Sequence, residues 1–584
     1  MKIDLNVWRI GWVNKFIFFG ISFLRLYALK VALILLLLFT CLSCDFEKKN
    51  LDRKPTLKIL IESIISENLE KSLKEEVHYF FMENFPEFDV KITYSDSVLN
   101  ENADGFDLTF SLNKISEESE LISRKVFGIF TRYDNLVRNI ESSDLEKIFS
   151  KESTLKNIKG EKTEIRFIKS RDFLEDFPEL ELSNPEFGTY EEVRDFLVSV
   201  DGENFFSVLP IELATPKLKV LYIDNVSFLG RYNEKTKSLE RKNDFLENYP
   251  FKKEIWVSGS LVDKFLLKVK SKNIEFEIFS GDKISEITMT GVTAMGRMVY
   301  HKINILGKDF VTKDFENILN SSDIAMTSNE VSFVENCYQP TSTMSFCSPP
   351  NFLEVLLDLG IDVVELTGNH NNDYGKDWSS FSIDLYKEKG IKYYGGGKNV
   401  DDARNPAIFD IQKGKENVKI GFIGFNTPGP IYAFATENES GANPYNKDSS
   451  IDLVKNTKEE VDILIVGVQW QNENSTIPSE EQKSMSEALL KAGTDLVVGS
   501  QAHGYQGFEF FDERPVFYGL GNFIFDQMFS EYVRSGFALR VFVWDRKIKS
   551  FELIPYQIED YCSPRLVSKE KEYELLQGII SILE

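Results

Sequence analysis

Three stretches of this 584-residue chain end an apolar run in a cluster of short polar side chains. Ile361 to Leu366 runs into Thr367-Gly-Asn-His-Asn-Asn-Asp-Tyr-Gly375, Asp495-Leu-Val-Val-Gly499 into Ser500-Gln-Ala-His503, and Val516-Phe-Tyr518 into Gly519-Leu-Gly-Asn-Phe523. A β-branched strand buried on both faces delivers its C-terminal end to a sheet edge, where glycines let the backbone turn and Asn, His and Asp can converge on a ligand. The chain has four histidines, and His370 and His503 both fall in these loops. One such loop alone also reads as a turn around a satisfied histidine, so the repetition carries the functional reading.

The elements that must position these loops follow from Glu286 onward. Ile287–Thr290, Asp323–Ser328, Val418–Phe425 and Val461–Gly467 read as buried strands, and helices over 352–359, 379–389 and 479–492 each stop at a glycine, Gly360, Gly390 and Gly493. Helices closed by Gly and followed by β-branched runs are what an α/β sandwich needs. Gly395-Gly-Gly397 reads as a tight turn rather than a phosphate cradle, because no Lys-Ser/Thr follows it.

Gly291-Val-Thr-Ala-Met-Gly-Arg297, Asn329-Glu330-Val331, Leu366 to Gly375, Val468-Gln-Trp470, Gly499 to His503 and Tyr518 to Phe523 together resemble the CapA family of poly-γ-glutamate capsule-biosynthesis proteins, itself similar to the calcineurin-like metallophosphatases. The resemblance implies a metallophosphatase-like β-sandwich flanked by helices over residues 285–584, with the site at one edge. Metallophosphatase chemistry needs several carboxylates and imidazoles close together. Here Val292 stands where many relatives have Asp, which leaves Glu330, Asn369, His370 and His503, with Gln469, Glu473 and Asn522 as further candidates. That set can hold one hard divalent cation such as Mg²⁺ or Mn²⁺, but not a closed cysteine zinc site. Alternatively, His370 and His503 act as general acid and base without metal. Arg297 reads either as a bidentate contact for an anionic group or as an ion pair at a helix start. Asn369, Gln469 and Asn522 are expected to contact substrate or orient the histidines, and Asp373 and Tyr374 to shape their loop.

The N-terminus differs in kind. Lys15, Arg25 and Lys30 precede the apolar run Val31 to Thr40 and Cys41-Leu-Ser-Cys44, which resembles a bacterial lipoprotein signal with Cys44 as the lipidated residue; a retained helix is the alternative. Residues 1–44 are thus expected to be a signal peptide and 45–56 a tether, with the chain lipid-anchored in the cell envelope. Export makes a Cys337–Cys347 disulfide reasonable, with Cys562 free; two free thiols are the other reading.

Residues 57–255 alternate strands and helices, beginning with Leu57-Lys-Ile-Leu-Ile61, and the order of pieces resembles the phosphate-type periplasmic solute-binding proteins, an α/β fold. Arg171 is followed by Asp172-Phe-Leu-Glu175, so carboxylates stand where an anion would need an amide nest, and a domain that keeps the fold without strong phosphate binding is expected. Residues 256–284 read as a connector. A net charge of −24, from 68 basic and 92 acidic residues, disfavours nucleic acid as a partner. The expected function is an enzyme of envelope-polymer metabolism acting on a polymer or small anionic substrate, or else a non-catalytic surface binding lipoprotein.

Overall fold

The computed structural model describes residues 54–582 apart from 63–70, 96–105, 150–153, 181, 183–184, 242–243, 273–277, 415 and 471–474. The chain divides into two compact units, one running to Phe127 and resuming over Pro250–Ser280, the other comprising Gly128–Tyr249 and Gly281–Glu584. The apolar run Val31 to Thr40, with Cys41 and Cys44, lies outside the described residues, as does Glu473. Among the described residues, no helix is long and apolar enough to cross a membrane.

In the first unit the strands Asp89–Ser95, Thr56–Glu62 and Leu108–Ser111 run parallel, and Lys252–Ser258 continues the sheet antiparallel. Leu57, Ile59 and Ile61 are buried with Phe80, Phe81 and Phe85 from the helix Lys71–Asn84 and its exit. The stretch 256–284, expected as a connector, contains the helix Val262–Ser271, whose Val262, Phe265 and Val269 fall on one helical face and enter the same core.

The second unit contains two larger sheets. One has the order Lys392–Tyr394, Val363–Glu365, Ile324–Asn329, Ser285–Thr293, Ser535–Trp544, Lys547–Glu559 and Ser563–Leu566, with Asn522–Ile524 beside Ser285–Thr293. The other has the order Ala407–Lys413, Glu416–Asn426, Ile463–Gln469, Leu496–Ser500, Arg514–Leu520 and Tyr505–Phe511. Ile287, Met289 and Met326 from the first share one core with Ile420, Phe422 and Ile465 from the second, so the sheets face each other. The opposite faces are covered by helices: Leu353–Asp358 and Lys376–Lys389 pack on the first sheet, Lys447–Glu460 and Glu480–Ala492 on the second.

Local chemistry fixes the ends of these helices. Ser479 caps Glu480–Ala492 in a reciprocal box with Gln482, and Gly390 closes Lys376–Lys389 in the left-handed region at φ 76°. Gly395 also has positive φ, and Gly396–Gly397 pairs with Gly441–Ala442, which makes the glycine run a turn leading into a short ladder. The parallel strands Ser285–Thr293, Ile324–Asn329 and Val363–Glu365, and likewise Glu416–Asn426, Ile463–Gln469 and Leu496–Ser500, present their C-terminal ends together within each sheet. The polar loops leave from those ends.

Candidate functional site

Glu330 follows the strand Ile324–Asn329 directly and is buried. Its Oε1 lies 3.5 Å from Gln469 Nε2, while its Oε2 is buried with no hydrogen-bond partner among the described residues. A buried carboxylate oxygen without a donor is costly and points to a ligand that would satisfy it. Gly368 makes the approach of the next loop possible: a Cβ there would stand 2.9 Å from both Cα and Cγ of Glu330.

An amide ladder holds this corner. Gln469 Nε2 donates to Asn369 Oδ1 at 3.0 Å, Asn426 Nδ2 donates to Gln469 Oε1 at 2.7 Å, and the same amide reaches the Thr367 carbonyl at 2.7 Å. Gln469 and Asn522, expected among the substrate contacts, are 1% and 0% exposed and spend their amides on the protein. Asn369 and His370 are only half-buried.

His370 Nδ1 is 2.7 Å from Asp373 Oδ2, which also accepts the Phe346 amide at 2.9 Å. Burial pulls the imidazole down, but the Asp373 hydrogen bond and the nearby Glu330 carboxylate outweigh it and hold His370 above its ordinary 6.5. A raised histidine contributes stability that is complete below the unfolded pKa and disappears as pH rises through the folded one. Asp373→Asn is therefore expected to lower the His370 midpoint in a ring-proton NMR titration; an unchanged midpoint would remove Asp373 as the cause.

His503 sits in the left-handed region at φ 58°, two residues after Gln501 at φ 73°. Non-glycine residues held there are uncommon and concentrate at functional sites. Asn522 Nδ2 donates to the Val533 carbonyl and to Gln527 Oε1, both at 3.2 Å, which leaves its Oδ1 to accept from His503 Nδ1 at 3.1 Å. Each histidine thus has Nδ1 engaged and Nε2 as its second functional nitrogen.

Arg297 joins the two loops. Its guanidinium pairs with Asp526 and lies 4.6 Å from the Phe346 ring centre and 5.5 Å from that of Phe525. Phe346 in turn stands 4.3 Å from the His370 ring and Phe525 5.2 Å from that of His503. This ion pair stands at the start of the helix Arg297–Leu306. Val292 packs with Val331, Phe346 and Phe525, so an apolar floor occupies the position where a further carboxylate was missed in the sequence.

The loop carrying Phe346 is closed by a Cys337–Cys347 disulfide, and Gln339 Nε2 within it donates to the Tyr374 hydroxyl at 2.9 Å. Cys562 is free and buried. Sequence reasoning missed Phe346, Phe525, Asp526 and Glu365. The last is a buried strand carboxyl that burial pushes up to about 7, helped by Glu330 and opposed by hydrogen bonds from Thr367, Ser328 and Ser500. Among the described residues, no three His, Cys, Asp or Glu side chains gather as a metal centre.

A two-sheet α/β sandwich with polar loops gathered at parallel strand ends is the class of domain that this geometry defines. Residues 286–527 match the family described as "Bacterial capsule synthesis protein PGA_cap". The chain is 25% identical over 282 residues to the capsule biosynthesis protein CapA of Bacillus anthracis, covering 47% of this chain and 67% of that protein. It is 25% identical over 312 residues to the PGA biosynthesis protein CapA of Bacillus subtilis (strain 168), covering 53% and 80%. Among solved structures it resembles an ABC-type phosphate transport receptor from Vibrio cholerae over 37% of this chain and 96% of that one, at 10% identity and a TM-score of 0.25. A score that low decides nothing about ligand or mechanism.

Proposed function

We propose that this chain is an envelope protein of poly-γ-glutamate-like capsule polymer synthesis or processing, lipid-anchored through Cys44, with a metallophosphatase-like site formed around Glu330, His370 and His503. The observation that carries the reading is the buried Glu330 Oε2 without a hydrogen-bond donor, beside Asn369 and the half-buried His370 at adjoining strand ends. A carboxylate oxygen, the Asn369 amide oxygen and an imidazole nitrogen form a donor set that fits one hard divalent cation, Mg²⁺ or Mn²⁺. Such an ion would polarise an oxygen of an anionic substrate when bound. The chain's own contribution is orientation: Asp373 fixes the His370 ring, Asn522 fixes His503, and the amides of Gln469 and Asn426 fix Asn369. With Nδ1 held, Nε2 of each histidine is the atom that would accept or deliver a proton.

A second reading, a non-catalytic polymer-binding lipoprotein, draws support from the thin ligand set and the apolar floor at Val292. Metal analysis and polymer cleavage assays on purified wild type, Glu330→Gln and His370→Ala separate the two. The enzyme reading expects bound Mg²⁺ or Mn²⁺ and cleavage in the wild type, with cleavage reduced about 100-fold or more in each variant. Metal-free wild-type protein that binds polymer, leaves it intact and loses no affinity in the variants would leave only the binding-protein reading.

A further inference from the structure

A cavity of about 60 Å³ lies within the second unit, between the segment 133–138, the strand Leu218–Ile223 and the strand Lys547–Glu559. Its polar lining is Asn135, Arg138, Lys219, Tyr222, Ser550 and Glu552, set among apolar side chains. That volume holds several waters or one small ion.

The charges around it do not pair completely. Arg138 and Lys237 both reach Glu572, Arg540 bridges Glu286 and Glu552 at 2.9 Å each, and Arg241 closes on Glu286 at 2.8 Å. Lys219 is the exception: among the described residues it has no carboxylate within ion-pair distance, and its Nζ donates only to the Asn135 carbonyl, at 2.7 Å. Burial and the Arg138 charge push this amine down to about 7, against the pull of Glu552, Glu572 and Asp134. An ammonium has three donors, so two remain unspent. Tyr222 and Ser550 line the same space, and each carries a hydroxyl able to donate. Glu552 opposes an anion, but Arg540 neutralises one of its oxygens and Arg138 stands 3.7 Å from the other.

We propose that this cavity binds a small monovalent anion, a halide or a short carboxylate, held by Lys219 Nζ and by the hydroxyls of Tyr222 and Ser550. The anion supplies the negative charge that the buried network lacks and fixes the proton on Lys219. The site lies apart from the Glu330 corner and does not depend on its chemistry.

The test uses the full chain at constant ionic strength, with gluconate, too large for the cavity, exchanged stepwise for chloride or for acetate. The thermal midpoint is expected to rise saturably by about 2 °C or more with at least one of the two, and the arm that responds distinguishes halide from carboxylate. Lys219→Met is expected to abolish the rise. If that variant does not fold, Ser550→Ala should weaken the apparent affinity several-fold, and chloride-35 line broadening on the wild type, displaced by acetate, reads the site directly. A wild-type midpoint indifferent to both anions, or a full response retained in Lys219→Met, overturns the proposal.

Discussion

Replacing Glu286 with alanine is expected to lower the unfolding free energy by about 3–5 kcal/mol, the usual result of removing one partner from a buried ion pair. Glu286 and Arg540 are both 0% exposed, and Glu286 accepts Arg241 on its second oxygen. Truncation would take a carboxylate partner from two guanidinium groups at once. Arg540 would keep Glu552 and the Lys237 carbonyl, and Arg241 would keep the Leu229 carbonyl, so neither loses every partner. The penalty arises from desolvated charge rather than from the attraction of the pair itself. The paired replacement Glu286→Leu with Arg540→Met should accordingly cost less than Glu286→Ala alone, although it deprives Arg241 and Glu552 of a partner each. Urea denaturation of the three proteins measures this, and a single variant no less stable than the double would contradict it.

That network shows where sequence reading stops. Glu286 lies near the start of the strand Ser285–Thr293, whose β-branched and apolar pattern is legible, but its partners come from residues 241 and 540, and Arg540 pairs in turn with Glu552, links that no spacing rule makes. The strand ends that carry Glu330, His370 and His503 were legible because a β-branched run breaking into Gly, Asn and His is a local signal. Phe346, Phe525 and Asp526 were not, since an aromatic ring in a Pro- and Ser-rich loop looks like any other until the fold places it against a histidine. Arg297 illustrates both sides. Its position after the first strand was readable, but its ion-pair partner, Asp526, stands more than 200 residues later. The antiparallel strands Ser535–Trp544 and Lys547–Glu559 supply the inner face opposite the second sheet, yet their role is visible only in the shared core.

Gly291→Ala is expected to be the other severe change, and it tests how the sandwich holds the His503 loop. A Cβ at 291 would lie 1.9 Å from the Gly521 carbonyl oxygen, a backbone atom that no rotamer change can move. Gly521 is itself at φ 86°, and its carbonyl accepts the Val292 amide at 3.0 Å, so the two segments are locked together where Asn522 pairs beside Val292. Relief of the clash must therefore displace Asn522, and with it the acceptor that orients His503 Nδ1. A loss of about 3 kcal/mol is expected, at the upper end for an overpacked core. The His503 ring resonances should shift while those of His301, whose Nε2 contacts the Gln339 carbonyl, stay in place. Gly578→Ala provides the contrast: it lies inside the helix Lys569–Ile580, its nearest neighbour would be the Tyr505 hydroxyl at 3.5 Å, and it should gain roughly 0.5–1 kcal/mol from helix propensity. Equal stability for the two alanine variants would mean that the Gly291–Gly521 contact does not constrain the fold, and that His503 is oriented by something other than this junction.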